Sequence, residues 1–258
     1  VFLSVAVVLS VFPLYFMAVS ATNTSNEVVA SKLLPGSHLV ENFRALVEAQ
    51  PLGSALYHSS VNAVATTVLA LVLCSIAGYA FEIYHSRAKD AVMAILLLAI
   101  MIPFAATMIP LFRLFAQVGM VNSTFAVILP LVATPFLILL FRQASRSFPH
   151  EIIEAARLDG LGELSIFARI YLPTMKPTLA AAGVITFLFS WNNFLWPKVI
   201  LVDNAYQTLP MLLSNMRAGY VTDYGSLMLA VLIVSVPTMV VFLLLQRSFA
   251  EGVTGAIK

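Results

Sequence analysis

Six stretches of this chain are apolar over lengths of about 20 residues, the length that carries a helix across the hydrocarbon core of a bilayer. They fall at roughly 1–20, 57–81, 91–112, 124–142, 178–200 and 226–246. In lipid, every backbone N–H and C=O must find its partner within the protein, so such stretches fold as helices. The expected fold class is therefore an all-α integral membrane protein with six transmembrane helices in one domain over 1–258. Composition agrees. Charged residues make up 10% of the chain, against about 25% in an ordinary soluble domain. The net charge of +2 is too small to suggest nucleic acid.

Val1 opens directly on the first stretch with neither Met nor a basic flank, so more chain is expected upstream. The "AVSA" at 18–21 has the small-residue pattern of a signal-peptidase site. The length of the apolar run favours a spanning helix. Basic residues then orient the spans. With the N-terminus inside, the inner segments hold Arg87, Lys89, Arg142, Arg146, Arg157, Arg169, Lys176, Arg247 and Lys258. The outer ones hold only Lys32, Arg44, Arg113, Lys198 and Arg217. Positive residues concentrate on the cytoplasmic side of membrane proteins. Both termini and the loop 143–177 are thus expected in the cytoplasm, and the loops 21–56 and 201–225 outside.

Several chemistries are excluded. No lysine stands in a GxxxxGK[ST] phosphate loop, and HExxH, CxxC and GxSxG are absent. His38, His58, His85 and His150 are scattered without metal-ligand spacing. Cys74 is the single cysteine and reads as a small core residue. No catalytic residue and no metal site is expected.

The conspicuous polar island is "EIIEAARLDGLGELSIFARIYLP", residues 151–173. Ser147 is placed to cap a helix starting at Phe148, with Pro149 tolerated in its first turn. At ~100° per residue, Phe148, Ile152, Ile153, Ala155 and Ala156 share an arc opposite His150, Glu154 and Arg157. Gly160 can take the left-handed conformation that ends the helix. A second helical stretch is expected over 162–171, before Pro173 and Pro177 interrupt the chain. Such an amphipathic helix either lies on the inner leaflet or meets a protein. Two alanines on the apolar arc and mixed charges on the polar one favour a protein partner.

The island also resembles the EAA signature of ABC importer inner-membrane permease subunits: E-A-A, three residues, G, nine residues, I, one residue, L-P. Glu154, Ala155, Ala156, Gly160, Ile170, Leu172 and Pro173 occupy every fixed position. "SWNNFLWPKVIL", "QTLPMLL" and the terminal "VTGAIK" are similar to the maltose-transporter type of sugar permease. The resemblance implies the type I importer permease fold and import of a sugar or oligosaccharide. It implies a coupling helix that docks on a cytoplasmic ATPase through Glu154, Ala155, Ala156, Asp159 and Gly160. It implies that the tail, with Gly252, Thr254 and Gly255, reaches the ATPase interface. Implied partners are a second permease subunit, two ATPases that carry ATP and Mg, and an extracytoplasmic solute-binding protein. The chain itself would hold no cofactor. The membrane would be the bacterial inner membrane.

The translocation path is less legible. Gly183, Thr186, Ser190, Asn193 and Pro197 fall near one face of the fifth stretch. Such a stripe either lines a wet cavity or forms a tight helix seam. Trp191 and Trp196 suit a sugar-stacking face or, more simply, an interfacial aromatic belt. The alternatives in other classes are an ion-coupled secondary transporter and a non-transporting scaffold. The first usually carries charges deep in the membrane, and here charges sit only at span edges, as Arg142 does.

Overall fold

The computed structural model describes residues 2–218 and 222–255. Among these the secondary structure is helical, without strands. The helices that build the fold are α1 (Phe2–Ser20), α2 (Leu39–Ala49), α3 (Leu52–Ile83), α4 (Arg87–Ile100), α5 (Phe104–Gln117), α6 (Thr124–Ile128, extended by a 3-10 turn Leu129–Leu131) and α7 (Pro135–Arg146). They continue with α8 (His150–Leu158), α9 (Glu163–Ile166), α10 (Lys176–Trp191), α11 (Leu195–Ile200), α12 (Leu209–Arg217) and α13 (Tyr224–Gly255).

Among the described residues, three helices are long and apolar enough to span alone: Phe2–Ser20, Leu52–Ile83 and Tyr224–Gln246. Three bent pairs supply up to three more spans. The apolar stretches 91–112 and 124–142 are each bent in the structure. α4 and α5 meet at 102°. Each has 14 residues, about 21 Å of helix, shorter than the ~30 Å core. Pro103 stands at the break, and a proline drives the residue before it out of helical backbone. α6 with its 3-10 turn bends by 46° into α7, which has a proline in its first turn. The fifth stretch does not run from 178 to 200. α10 ends at Trp191, Asn192 caps it, and α11 begins at Leu195.

The chain forms two compact units: residues 1–59 with 203–240, and 60–202 with 241–258. In the first, polar side chains close the loops. The Asn42 amide donates to the carbonyls of Ala21 (2.9 Å) and Asn23 (3.0 Å). Ser226 Oγ and Ser25 Oγ both donate to Asp223, and Ser226 Oγ lies 3.1 Å from the Asn42 carbonyl oxygen. Gly225 lets these strands of loop touch: a Cβ there would lie 2.7 Å from the Asn23 carbonyl oxygen. The segment "NFRALVEAQPL", residues 42–52, falls largely within α2. The 201–225 segment is more than a solvated connection, because α12 buries Leu209, Met211 and Leu212.

The second unit contains the polar island. Its apolar core groups Ala70, Cys74, Met93, Leu137, Phe141 and Ala182 from α3, α4, α7 and α10. Cys74 is buried there, as read from the sequence.

Candidate functional site: the 148–175 segment

The island stands on an aromatic anchor. Tyr79 of α3 packs against Tyr171 (ring centroids 4.7 Å apart) and Phe167 (5.4 Å), and Phe148 meets Tyr171 edge-on. Ile153, Ala156, Ile166 and Met175 complete this buried cluster. Ser145 Oγ donates to the Phe141 carbonyl and lies 2.6 Å from the Tyr171 hydroxyl, which therefore donates to it. Aromatic pairs of this kind each add about 0.5–1.5 kcal/mol beyond their buried area. The segment is thus fixed by packing at one end of α3 and α7.

Its start differs from the sequence reading. α8 begins at His150 with Pro149 at the N-cap and no side-chain cap. Ser147 instead closes α7, its Oγ donating to the Ala144 carbonyl (2.8 Å). The end is as read. Gly160 has φ +79°. Leu161 N–H reaches the Ala156 carbonyl and Gly160 N–H the Arg157 carbonyl, both at 3.0 Å. These two bonds make a Schellman cap. No atom lies within 4 Å of a Cβ built at Gly160, so the backbone angle, not crowding, requires glycine. The second helical stretch is α9, then a π-helical turn Phe167–Tyr171 that carries Ile170 of the motif, then Leu172–Thr174. A π turn widens the helix just ahead of Pro173. The chain then bends by 82° into α10.

The apolar arc divides in two. Phe148, Ile153 and Ala156 face the anchor, whereas Ile152 and Ala155 are exposed. Glu154, Asp159 and Gly160 are exposed as well. Ala156 therefore seats the helix on its own chain, and Ala155 points outward. Sequence reasoning missed two further residues on this outer surface. Leu158 is 89% exposed and Leu164 81% exposed. Leu158 had a signal, a leucine set between Arg157 and Asp159 just ahead of the cap.

One ion pair crosses the turn. Arg157 Nε donates to Glu163 Oε1 at 2.7 Å, and Arg157 lies over the Tyr84 ring, 5.7 Å from its centroid. The Arg157 hydrogen bond, helped by Tyr84, holds the Glu163 carboxyl below the ordinary carboxylate range. Both side chains are nearly half exposed, so the pair fixes the turn's geometry more than its stability.

The other sequence candidates lie apart from this segment. Thr186 and Ser190 are buried. Thr186 Oγ1 donates to the Ala182 carbonyl one turn back, and Ser190 Oγ to the Asn62 carbonyl at 3.4 Å. Thr186 also borders an apolar cavity of about 180 Å³ with Leu131, Leu137 and Phe189. Asn193 lies in the break after α10 and lines a second cavity of about 420 Å³ with Phe104, Phe189 and Phe194. The two tryptophans are both buried. Trp196 is fully buried and donates Nε1–H to the Ala126 carbonyl (2.9 Å), and Trp191 stacks on Phe187. In the tail, Gly252, Thr254 and Gly255 continue α13 beyond its apolar part. The remaining tail positions 256–258 lie outside the described residues.

Apolar spans broken by short helices, with a capped helical knob between the fourth and fifth, define a multi-pass membrane protein. The solved structure of a bacterial ABC transporter that imports the acidic polysaccharide alginate has this fold, with a TM-score of 0.86 at 19% identity over 96% of this chain and 94% of that one. A family model described as binding-protein-dependent transport system inner membrane component matches residues 70–255. The chain belongs to that family. It is 40% identical to the lactose transport system permease protein LacG of Rhizobium radiobacter, over 99% of this chain and 94% of that protein. It is 34% identical to the arabinooligosaccharides transport system permease protein AraQ of Halalkalibacterium halodurans, over 97% and 92%. The sn-glycerol-3-phosphate transport system permease protein UgpE of Yersinia enterocolitica is 33% identical, over 100% and 95%. The chain is accordingly a transport subunit and not an enzyme.

Proposed function

We propose that this chain is one membrane subunit of an ATP-driven importer for a di- or oligosaccharide, and that segment 150–160 transmits the movement of an ATPase to the spans. One observation carries the reading. A short capped helix, anchored by buried aromatics, presents Glu154, Ala155, Asp159, Gly160 and the large apolar side chain of Leu158 away from its own chain. Coupling needs a stiff element that makes different contacts in two states, and this segment has the required stiffness. Ala156 contributes from the inside, by letting α8 sit close on its anchor. ATP and Mg belong to two partner ATPases. A second permease subunit completes a heterodimer, and a solute-binding protein delivers the sugar. The knob and both termini then face the cytoplasm, in keeping with the basic residues on that side. The whole chain acts as one permease domain in the bacterial inner membrane, and the tail with Gly252, Thr254 and Gly255 extends toward the ATPases.

Sugar as the cargo rests on the names of the relatives, and lactose is the first probe to use. Thr186, Ser190 and Asn193 are candidates for the path. Of the three, Asn193 has the best claim, because it lines a cavity whose walls include Phe104, Phe189 and Phe194. The test is replacement of Glu154 or Gly160 in the reconstituted transporter. Lactose uptake should fall while insertion is unchanged. Uptake at the parental rate with normal ATPase stimulation would refute the role of these residues.

A further inference from the structure

A buried guanidinium joins three helices beside the knob. Arg142 of α7 is 5% exposed. Its Nε donates to Glu82 of α3 at 3.1 Å, and its Nη2 to Asp90 of α4 at 2.6 Å. Arg146 approaches Glu82 at 3.5 Å, and His85 Nε2 lies 2.9 Å from Asp90. The nearby Lys89 is engaged elsewhere, donating to the Ala80 carbonyl and lying over Tyr84. One turn before Glu82, α3 and α7 touch through their backbones. A Cβ at Gly78 would lie 2.4 Å from Phe141 Cβ and 2.8 Å from Arg142 N. The next residue, Tyr79, is the centre of the knob's anchor. The same turn of α3 therefore meets Arg142 on one side and the knob on the other. α7 itself runs into α8 across Ser147–Pro149.

Stability alone does not call for this arrangement, since buried ion pairs replaced by well-packed apolar groups are often neutral or better. What a guanidinium adds is a rigid fork with fixed donor directions. Gripping two carboxylates on two other helices, it sets the rotation of all three together. We propose that Arg142 is a positioning residue for coupling: it makes the adjoining ends of α3, α4 and α7 move as one body with the 148–175 knob. This rests on the importer reading above.

The test uses the complete transporter in liposomes, with Cys74→Ala and spin labels on cysteines at the exposed positions Ala91 of α4 and Gln143 of α7. With Arg142 present, one narrow inter-label distance should persist with and without ATP. In Arg142→Gln the distribution should broaden, and ATP hydrolysed per lactose imported should rise about tenfold, within the usual span of coupling effects. Arg142→Lys, which cannot fork, should fall between. If Arg142→Gln does not assemble, Glu82→Gln and Asp90→Asn each remove one arm and should each raise the ratio by a smaller factor. An equally narrow distance in Arg142→Gln, a parental ratio in both single-arm variants, or uptake and hydrolysis that fall in proportion overturns the proposal and leaves the importer reading standing. A parental transporter that neither hydrolyses ATP nor takes up lactose overturns the importer reading, and the coupling role with it.

Discussion

The 148–175 knob and the closed loops around Asn23 and Asn42 are both connections between apolar helices, yet they are held by opposite means. The knob rests chiefly on buried rings, joined by the Ser145–Tyr171 hydrogen bond at their edge and the Arg157–Glu163 pair across the turn. The loops rest on directional polar contacts: Asn42 to two carbonyls, Asn23 to the Leu34 carbonyl, Ser25 and Ser226 to Asp223. Packing on rings, with few polar contacts, suits an element that must bear force as a rigid piece while its outer face stays free. Side-chain bonds to backbone suit segments that must hold a particular path with little apolar surface to bury. A glycine serves each region differently. Gly160 supplies a backbone angle, and Gly225 supplies room.

The comparison breaks most readily at Tyr171. Tyr171→Ala removes a fully buried ring, at a cost of about 3–5 kcal/mol. Thermal unfolding in detergent should drop, and the knob's amides should exchange faster while those of residues 21–50 do not. Exchange that rises equally in both regions would show that the two are not separately held. Asn42→Ala is the converse. It leaves the Ala21 and Asn23 carbonyls without their donor, about 1–3 kcal/mol for buried groups. Limited proteolysis should open the 21–50 loops and spare the knob. Gly160→Ala should cost about 1–2 kcal/mol, because a Cβ is disfavoured in the left-handed region. Asn at this position should recover part of that, whereas a purely steric site would favour Ala.

The smallest effect concerns acid. Glu27 closes a capping box with Thr24. Its carboxyl is lowered to about 2, first by the Lys32 hydrogen bond and then by the Thr24 backbone and hydroxyl. Glu163 is lowered by Arg157. A carboxyl whose folded value lies below its unfolded value stabilises at pH above the unfolded value. That contribution fades as pH falls from about 4.5, the ordinary glutamate value, toward the folded value. Protection of the amides at 24–29, corrected for the intrinsic exchange rate at each pH, should therefore fall as pH drops from 4.5 to about 2. Glu27→Gln should remove this dependence. A dependence on rising pH would contradict the assignment.

The sequence revealed the apolar stretches, the left-handed Gly160 and the spacing of the island's motif, because each depends on local pattern. The breaks at Pro103 and Asn192–Phe194 were hidden, since a hydropathy run passes through a proline or a pair of amides without interruption. Ser147 was misplaced because the end of α7 and the start of α8 compete for the same residues, and α7 takes the hydroxyl. The arc of α8 divided because a helical wheel finds its apolar side without knowing where Tyr79 stands. Arg142 read as an edge charge because its carboxylates lie 60 and 52 residues away along the chain.

The most direct test of the coupling account places a photoreactive amino acid at Leu158 in the assembled transporter in liposomes. The expected product is a cross-link to an ATPase subunit, stronger or weaker with ATP but present in both states. Cross-links to lipid alone, or to the solute-binding protein, would contradict the account.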